Sequence, residues 1–167
     1  MFTIEARVEK DYDLGAPRQA LRDFFADPVN FSRYMPDIIS KVEPKSGNRS
    51  IWTLKIEISS GSALTVKLDM AYKETGEKRL SYEPVTESQD HLAIFVDMEE
   101  NGGRTDVNFV LEMRLQRASS YDIHPLAGFL GERSISKLTQ RYGEEYVDEF
   151  LSRAEDEAGG KKTTKKK

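Results

Sequence analysis

The stretch PLAGFLGERSISKLTQRYGEEYVDEFLSRAEDEA, from about Pro125 to Ala158, constrains the fold more than any other part of the chain. Leu130, Ser134, Leu138, Tyr142, Tyr146 and Phe150 recur every four residues, and Phe129, Ile135, Val147 and Leu151 widen the row. Glu132, Arg133, Lys137, Arg141, Glu145, Asp148 and Glu149 occupy the remaining positions. That spacing predicts a long amphipathic helix with a broad apolar face, which must be buried against something. Gly128, Gly131 and Gly143 fall inside it, each costing up to about 1 kcal/mol relative to alanine in a helix interior. Gly128 and Gly131, at i and i+3, leave one face of the helix entry bare, for which a ragged start, a close backbone approach and an open portal would each account.

Almost everything before that helix has the two-residue period of strands. In FTIEARVEKDY, Phe2, Ile4, Ala6, Val8 and Tyr12 face one way and charged residues the other, the pattern of a half-buried strand. Pro17 opens a short helical segment carrying Ala20, Leu21, Phe24 and Phe25, and Asp27-Pro28 starts a second that ends before Pro36. From Ile38 the alternation resumes for some 80 residues. Its inward rows are Trp52, Leu54, Ile56 and Ile58; Leu64, Val66, Leu68, Met70 and Tyr72; Leu80 and Tyr82; Leu92, Ile94, Val96 and Met98; and Thr105, Val107, Phe109, Leu111, Met113 and Leu115. Turn signals separate the rows, Asn101-Gly102-Gly103 being the strongest. The order strand, two helices, six strands, long helix predicts an α+β domain built on a continuous antiparallel meander.

A chain of 167 residues suits one domain that buries about two-thirds of its unfolded surface. With no cysteine there are no disulfides, thiolate metal sites or thiol catalysis, which suits a reducing cytoplasm. The N-terminus is charged at once and no apolar run approaches the roughly 20 residues of a membrane span, so a cytoplasmic location is expected. Setting aside the five lysines of KKTTKKK, 20 basic residues stand against 29 acidic ones, a net −9 that argues against DNA as a partner. Residues 1–158 are expected to form the domain and 159–167 a disordered lysine-rich tail.

Two local motifs, DPVNFSRYMPDI at 27–38 and LAGFLGERSISKL at 126–138, together with the element order, resemble the START/Bet v 1/polyketide-cyclase (SRPBCC) superfamily. Within it the likeness runs toward the carbon-monoxide-dehydrogenase, coenzyme-Q-binding and cyclase-like branches, and in element order it covers residues 1–157. It implies a helix-grip fold, in which a seven-stranded antiparallel sheet closes around the last helix and encloses an apolar cavity. Members carry lipids, quinones, hormones or polyketides there, and a minority do chemistry in it.

Catalytic centres place polar residues where the pattern demands apolar ones, and these inward rows contain almost none. Their polar atoms belong to Trp52, Tyr72 and Tyr82, with Tyr142 and Tyr146 offered by the helix. Such tips either finish a core by bonding backbone or water, or orient a ligand carbonyl or hydroxyl. Met70, Met98 and Met113 either fill core gaps or form an adaptable wall. His91 is expected to be exposed, and His124, just before Pro125, is either a loop histidine or an acid/base at the cavity entrance. Two histidines without metal-ligand spacing give no metal site, and neither a cofactor nor a catalytic residue is assigned. The expected ligand wall is Trp52, Leu54, Leu68, Met70, Tyr72, Tyr82, Met98, Phe109, Met113, His124, Phe129, Leu138 and Tyr142. The expected partner is a small hydrophobic molecule (lipid, quinone or polyketide-like) bound or transported in a pocket of about 300–1,000 Å³. Two alternatives stand beside it. One is a cyclase or hydratase working through Tyr82, Tyr72 and His124. The other is an interaction module whose basic tail makes weak contact with a ribosome, RNA or a membrane. The sequence carries no signature of an oligomeric state.

Overall fold

Apolar–polar alternation becomes seven strands in the computed structural model, which describes residues 1–160. Strand β1 (Phe2–Leu14) is followed by α1 (Arg18–Ala26) and α2 (Val29–Tyr34). Then come β2 (Ile39–Pro44), β3 (Arg49–Ser59), β4 (Ser62–Thr75), β5 (Arg79–Pro84), β6 (Asp90–Asn101) and β7 (Arg104–Arg117). A 3-10 turn at Ser120–Asp122 leads to the short α3 (Ala127–Leu130) and the long α4 (Glu132–Gly159). The strands form one antiparallel sheet in the order β1-β7-β6-β5-β4-β3-β2. Strands β2 to β7 run as a meander, and β1 joins the far side of β7 from Phe2↔Arg117 to Leu14↔Thr105. Asn101 pairs with Arg104, so Gly102 and Gly103 form a two-residue hairpin loop; their φ of 62° and 85° is the double positive φ that such a turn requires. This is the α+β helix-grip architecture.

The inward rows of β3, β6 and β7 are buried as their alternation demands, while Leu64 and Val66 of β4 are only half-buried. Polar partners meet across the outer face, where Arg79 pairs with Asp97 at 2.9 Å, Lys78 with Glu99 at 2.9 Å, and Arg49 with Asp69.

The helical run differs from its expected form in two ways. Gly131, at φ 90° and ψ 148°, breaks it into α3 and α4. The buried row of α4 is Ile135, Gly143, Val147, Phe150, Leu151 and Ala154, so burial centres on the Ile135, Val147 and Leu151 edge of the expected face together with Phe150; Ser134 is exposed and Leu138, Tyr142 and Tyr146 are half-buried. The reason is close packing. Gly143 sits so near β1 that a Cβ there would lie 3.2 Å from Val8 Cγ2, so an inward position holds no apolar side chain to mark it.

A second row on α4 closes the edge of the sheet. The outward N–H groups of Thr3, Glu5 and Arg7 donate to Glu132 (2.8 Å), Ser136 Oγ (3.2 Å) and Gln140 Oε1 (2.9 Å). Gln140 Nε2 donates back to the Arg7 carbonyl at 2.8 Å. Four helical residues advance about 6.0 Å and two strand residues about 6.6–6.8 Å, so helix and strand stay in step for these rungs. Beyond them Lys10 Nζ (3.1 Å) and the Tyr12 hydroxyl reach Asp148, and the Gly15 N–H donates to Glu155 at 2.6 Å. A sheet edge that would otherwise offer free backbone groups is thereby covered.

Helix α4 runs through Gly159 and ends on Gly160 in the left-handed conformation, so the expected boundary at 158 falls in its last turn. The lysine-rich tail expected to be disordered lies, from residue 161, outside the described residues. Among the described residues no helix is long and apolar enough to cross a membrane.

Candidate ligand-binding site

Three phenylalanines delivered by helices occupy the middle of the space between helix and sheet. The Phe31 ring of α2 lies 4.7 Å from Phe150 of α4, and 5.2 Å from both Trp52 and Tyr82, between centroids. Phe25 of α1 is 6.1 Å from Phe150 and 6.3 Å from Phe109. Trp52 and Tyr82 are fully buried with their tips satisfied: Trp52 Nε1 donates to Ser50 Oγ at 2.7 Å, and the Tyr82 hydroxyl donates to the Phe25 carbonyl at 2.7 Å. Trp52, Tyr82 and Phe109 pack on this aromatic cluster, Leu54, Leu68, Met70 and Met98 belong to the same buried core, and none of the seven lines the hollow beneath the helix. The hollow that remains there is about 20 Å³, room for one water, against the several hundred expected.

That hollow is a slot nearer the start of α4. Its floor is Ala6 and Val8 of β1, Leu111 and Met113 of β7, Ile56 of β3, and Ile38; its roof is Thr139, Tyr142, Gly143 and Tyr146 of α4. Asp37, Lys55 and Glu57 stand at its rim. Two of its lining positions, Ala6 of β1 and Gly143 of α4, carry almost no side chain, and Gly143 packs directly on Val8. Thr139 Oγ1 donates to the Ile135 carbonyl at 2.8 Å, so its hydroxyl is committed to the helix backbone. The Tyr142 and Tyr146 rings stack at 5.9 Å and 23°. Burial, reinforced by the negative charge of Asp37, pushes the Tyr146 phenol above its ordinary pKa. The two sides of α4 are held differently. Its β1 side is hydrogen-bonded, whereas among the described residues Tyr142 and Tyr146 make no hydrogen bond to β3 or Asp37.

Of the expected wall, only Met113 and Tyr142 reach this slot. Phe129 is 89% exposed, on the outer side of α3, and Leu138 is half-buried outside the slot. The Tyr72 hydroxyl donates to Glu74 Oε2 at 2.5 Å, and burial together with that carboxylate raises its pKa. His124 Nδ1 accepts the Leu126 N–H at 3.0 Å, which makes it a loop histidine. His91, expected to be exposed, is half-buried on the outer face, with Nε2 3.7 Å from Glu112. Among the described residues no group of three or more His, Asp or Glu could hold a metal ion. Ala6, Val8 and Ile56 were legible as inward residues, but nothing singled them out as a site. The available signal was a small residue on each element, Ala6 on the strand and Gly143 on the helix.

A seven-stranded antiparallel sheet gripping its last helix is the helix-grip fold, and the chain shares that fold with START superfamily and aromatase/cyclase structures. Among solved structures it resembles the Zhui aromatase/cyclase of a Streptomyces species (TM-score 0.64, 16% identity, covering 91% of this chain and 94% of that one). It also resembles a START superfamily protein of Mycobacterium smegmatis (0.59, 12%, 92% and 97%) and ginseng major latex-like protein 151 of Panax ginseng (0.54, 11%, 93% and 98%). At these identities the likeness is one of fold. No protein-family model matches the sequence, and no curated protein matches it.

Proposed function

We propose that this protein binds a slim, mainly apolar molecule in the slot between α4 and the sheet, as a carrier working in a reducing cytoplasm. The observation that supports this reading is the slot itself, floored by five apolar side chains and alanine and roofed by a tyrosine pair, between the last helix and the sheet. Its volume admits one water as it stands, so loading requires α4 to lift on its β3 side, where only side-chain packing holds it. The tyrosine hydroxyls and the Asp37, Lys55 and Glu57 rim supply the few polar groups that orient a ligand headgroup at such a mouth. A single acyl or prenyl chain fits that description better than a polycycle, which would have to displace the Phe25–Phe31–Phe150 cluster. The three groups a cyclase or hydratase would need are engaged elsewhere: Tyr82 with Phe25, Tyr72 with Glu74 and His124 with Leu126.

Native mass spectrometry of freshly purified protein, followed by fatty-acid titration, tests the reading. An adduct, or saturable binding of one chain per protein, is expected. Ala6→Phe, which fills the slot from its floor, should abolish binding while a thermal melt still shows a cooperative transition. Unchanged binding in Ala6→Phe and in Ile56→Trp would place the ligand elsewhere and end this proposal.

A further inference from the structure

Three of the five large apolar residues most exposed to solvent fall within nine residues, Tyr121 (78%), Leu126 (44%) and Phe129 (89%). The segment presenting them is built to hold its shape. Ile123 and Ala127 anchor it in the core, Ser119 and Asp122 form a capping box, and Gly128 packs so closely on Ser120 that a Cβ would lie 2.6 Å from its Oγ. Its apolar side chains therefore point outward from a fixed knob.

Directly after the knob, α4 carries a row of cations at i, i+4 spacing: Arg133, Lys137 and Arg141, all exposed. Arg133 and Lys137 have no ion-pair partner among the described residues, and Arg141 lies over the Tyr142 ring at 5.8 Å. The next exposed charges on the helix, Glu145, Asp148 and Glu149, are acidic. Two exposed carboxylates share this stretch, Asp122 committed to the Ser119 capping box and Glu132 to the Thr3 N–H, so residues 119–141 carry two acidic and three basic side chains, a net +1 in a protein that is acidic overall.

We infer that this knob and cation row form a docking surface for an anionic lipid bilayer. Phenylalanine, leucine and tyrosine flanked by arginine and lysine is the chemistry of an interfacial anchor: rings and aliphatic chains enter the headgroup region while cations meet lipid phosphates. A protein partner fits less well. A stable protein interface uses roughly 20–30 residues a side, whereas this is a convex knob with three apolar tips. The acidic second half of α4 would be repelled by the same surface, so the molecule would dock by its α3 end. The inference stands apart from the ligand reading, since docking and slot occupancy are measured separately and either can fail alone.

Sedimentation of the full chain with vesicles of phosphatidylcholine, with and without phosphatidylglycerol, tests it. Binding to the anionic vesicles is expected at low salt and should fade at about 1 M, where the Debye length is about 3 Å. Leu126→Ser with Phe129→Ser should weaken partitioning by on the order of tenfold or more. Arg133→Glu with Lys137→Glu should weaken it roughly 25-fold or more, at about fivefold per cation. All four positions are exposed, so the melting temperature should stay where it is. Equal binding to both vesicle types would overturn the inference. So would variants that bind like the parent, which would assign the attraction to the lysines of 161–167, and so would capture by an acidic protein with no vesicle binding.

Discussion

At Gly131 the backbone takes φ 90° and ψ 148°, a region in which a side chain is strained, and nothing lies within 4 Å of where a Cβ would stand. Gly143 has ordinary helical backbone but a neighbour, Val8, at 3.2 Å from the same hypothetical atom. One glycine is required by conformation, the other by space. Gly131→Ala should therefore cost about 1–3 kcal/mol, visible as a lower urea midpoint with an unchanged slope. For Gly143→Ala, about 1 kcal/mol of helix propensity opposes the contact with Val8, so the net change should be small. Gly143→Val crowds the same contact further and should cost about 1–3 kcal/mol. Equal midpoints for the parent and Gly131→Ala would show that the break between α3 and α4 shifts to a neighbouring residue.

Between α4 and β1 the polar row Glu132, Ser136, Gln140 acts as a substitute strand, with side-chain acceptors standing where a neighbouring backbone would offer carbonyls. Gln140 holds both the N–H and the C=O of Arg7 and is itself held by Glu144 at 2.9 Å. Gln140→Leu removes both backbone bonds. The rung is exposed and water can replace part of what is lost, so about 1–2 kcal/mol is expected. Hydrogen exchange locates the effect: the Arg7 amide, and to a lesser degree those of Thr3 and Glu5, should exchange faster than in the parent. Tyr146→Ala belongs to the other side of the helix. It should leave the β1 amides as protected as before and speed ligand association with the slot. Faster β1 exchange in Tyr146→Ala would mean that α4 detaches as one body and does not lift about its β1 side.

For the whole molecule, the strands were readable because alternation is local: Trp52, Leu54, Ile56 and Ile58 announce one buried face without reference to anything else, while the pairing of β1 with β7, a contact between the two ends of the sheet sequence, was not. The size of the cavity was not readable, because it depends on how far Phe25, Phe31 and Phe150 reach from three separate helices into one volume. Periodicity assigns a face and leaves depth undetermined. Charge at this scale is more regular. Glu9, Glu43, Asp69 and Glu74 are each held below the usual carboxylate pKa, first by hydrogen bonds from Arg7, Lys41, Arg49 and Arg22 respectively. A depressed folded-state pKa contributes stability above the ordinary carboxylate range of about 3.9–4.3 and loses it as pH falls through the folded value. The melting temperature should therefore be nearly level from about pH 7 to 5 and fall below about 4. Glu74, which links β4 to Arg22 of α1, allows the sign to be tested at one site. Glu74→Gln should melt up to about 4 °C below the parent at neutral pH, since a partly exposed pair contributes at most about 1 kcal/mol. Because the parent alone carries that titrating charge, the two curves should converge in acid, and salt should narrow the neutral-pH gap. A gap that persists undiminished below the folded-state titration would assign the contribution to the shape of the Arg22–Glu74–Tyr72 hydrogen-bond array and not to its charge.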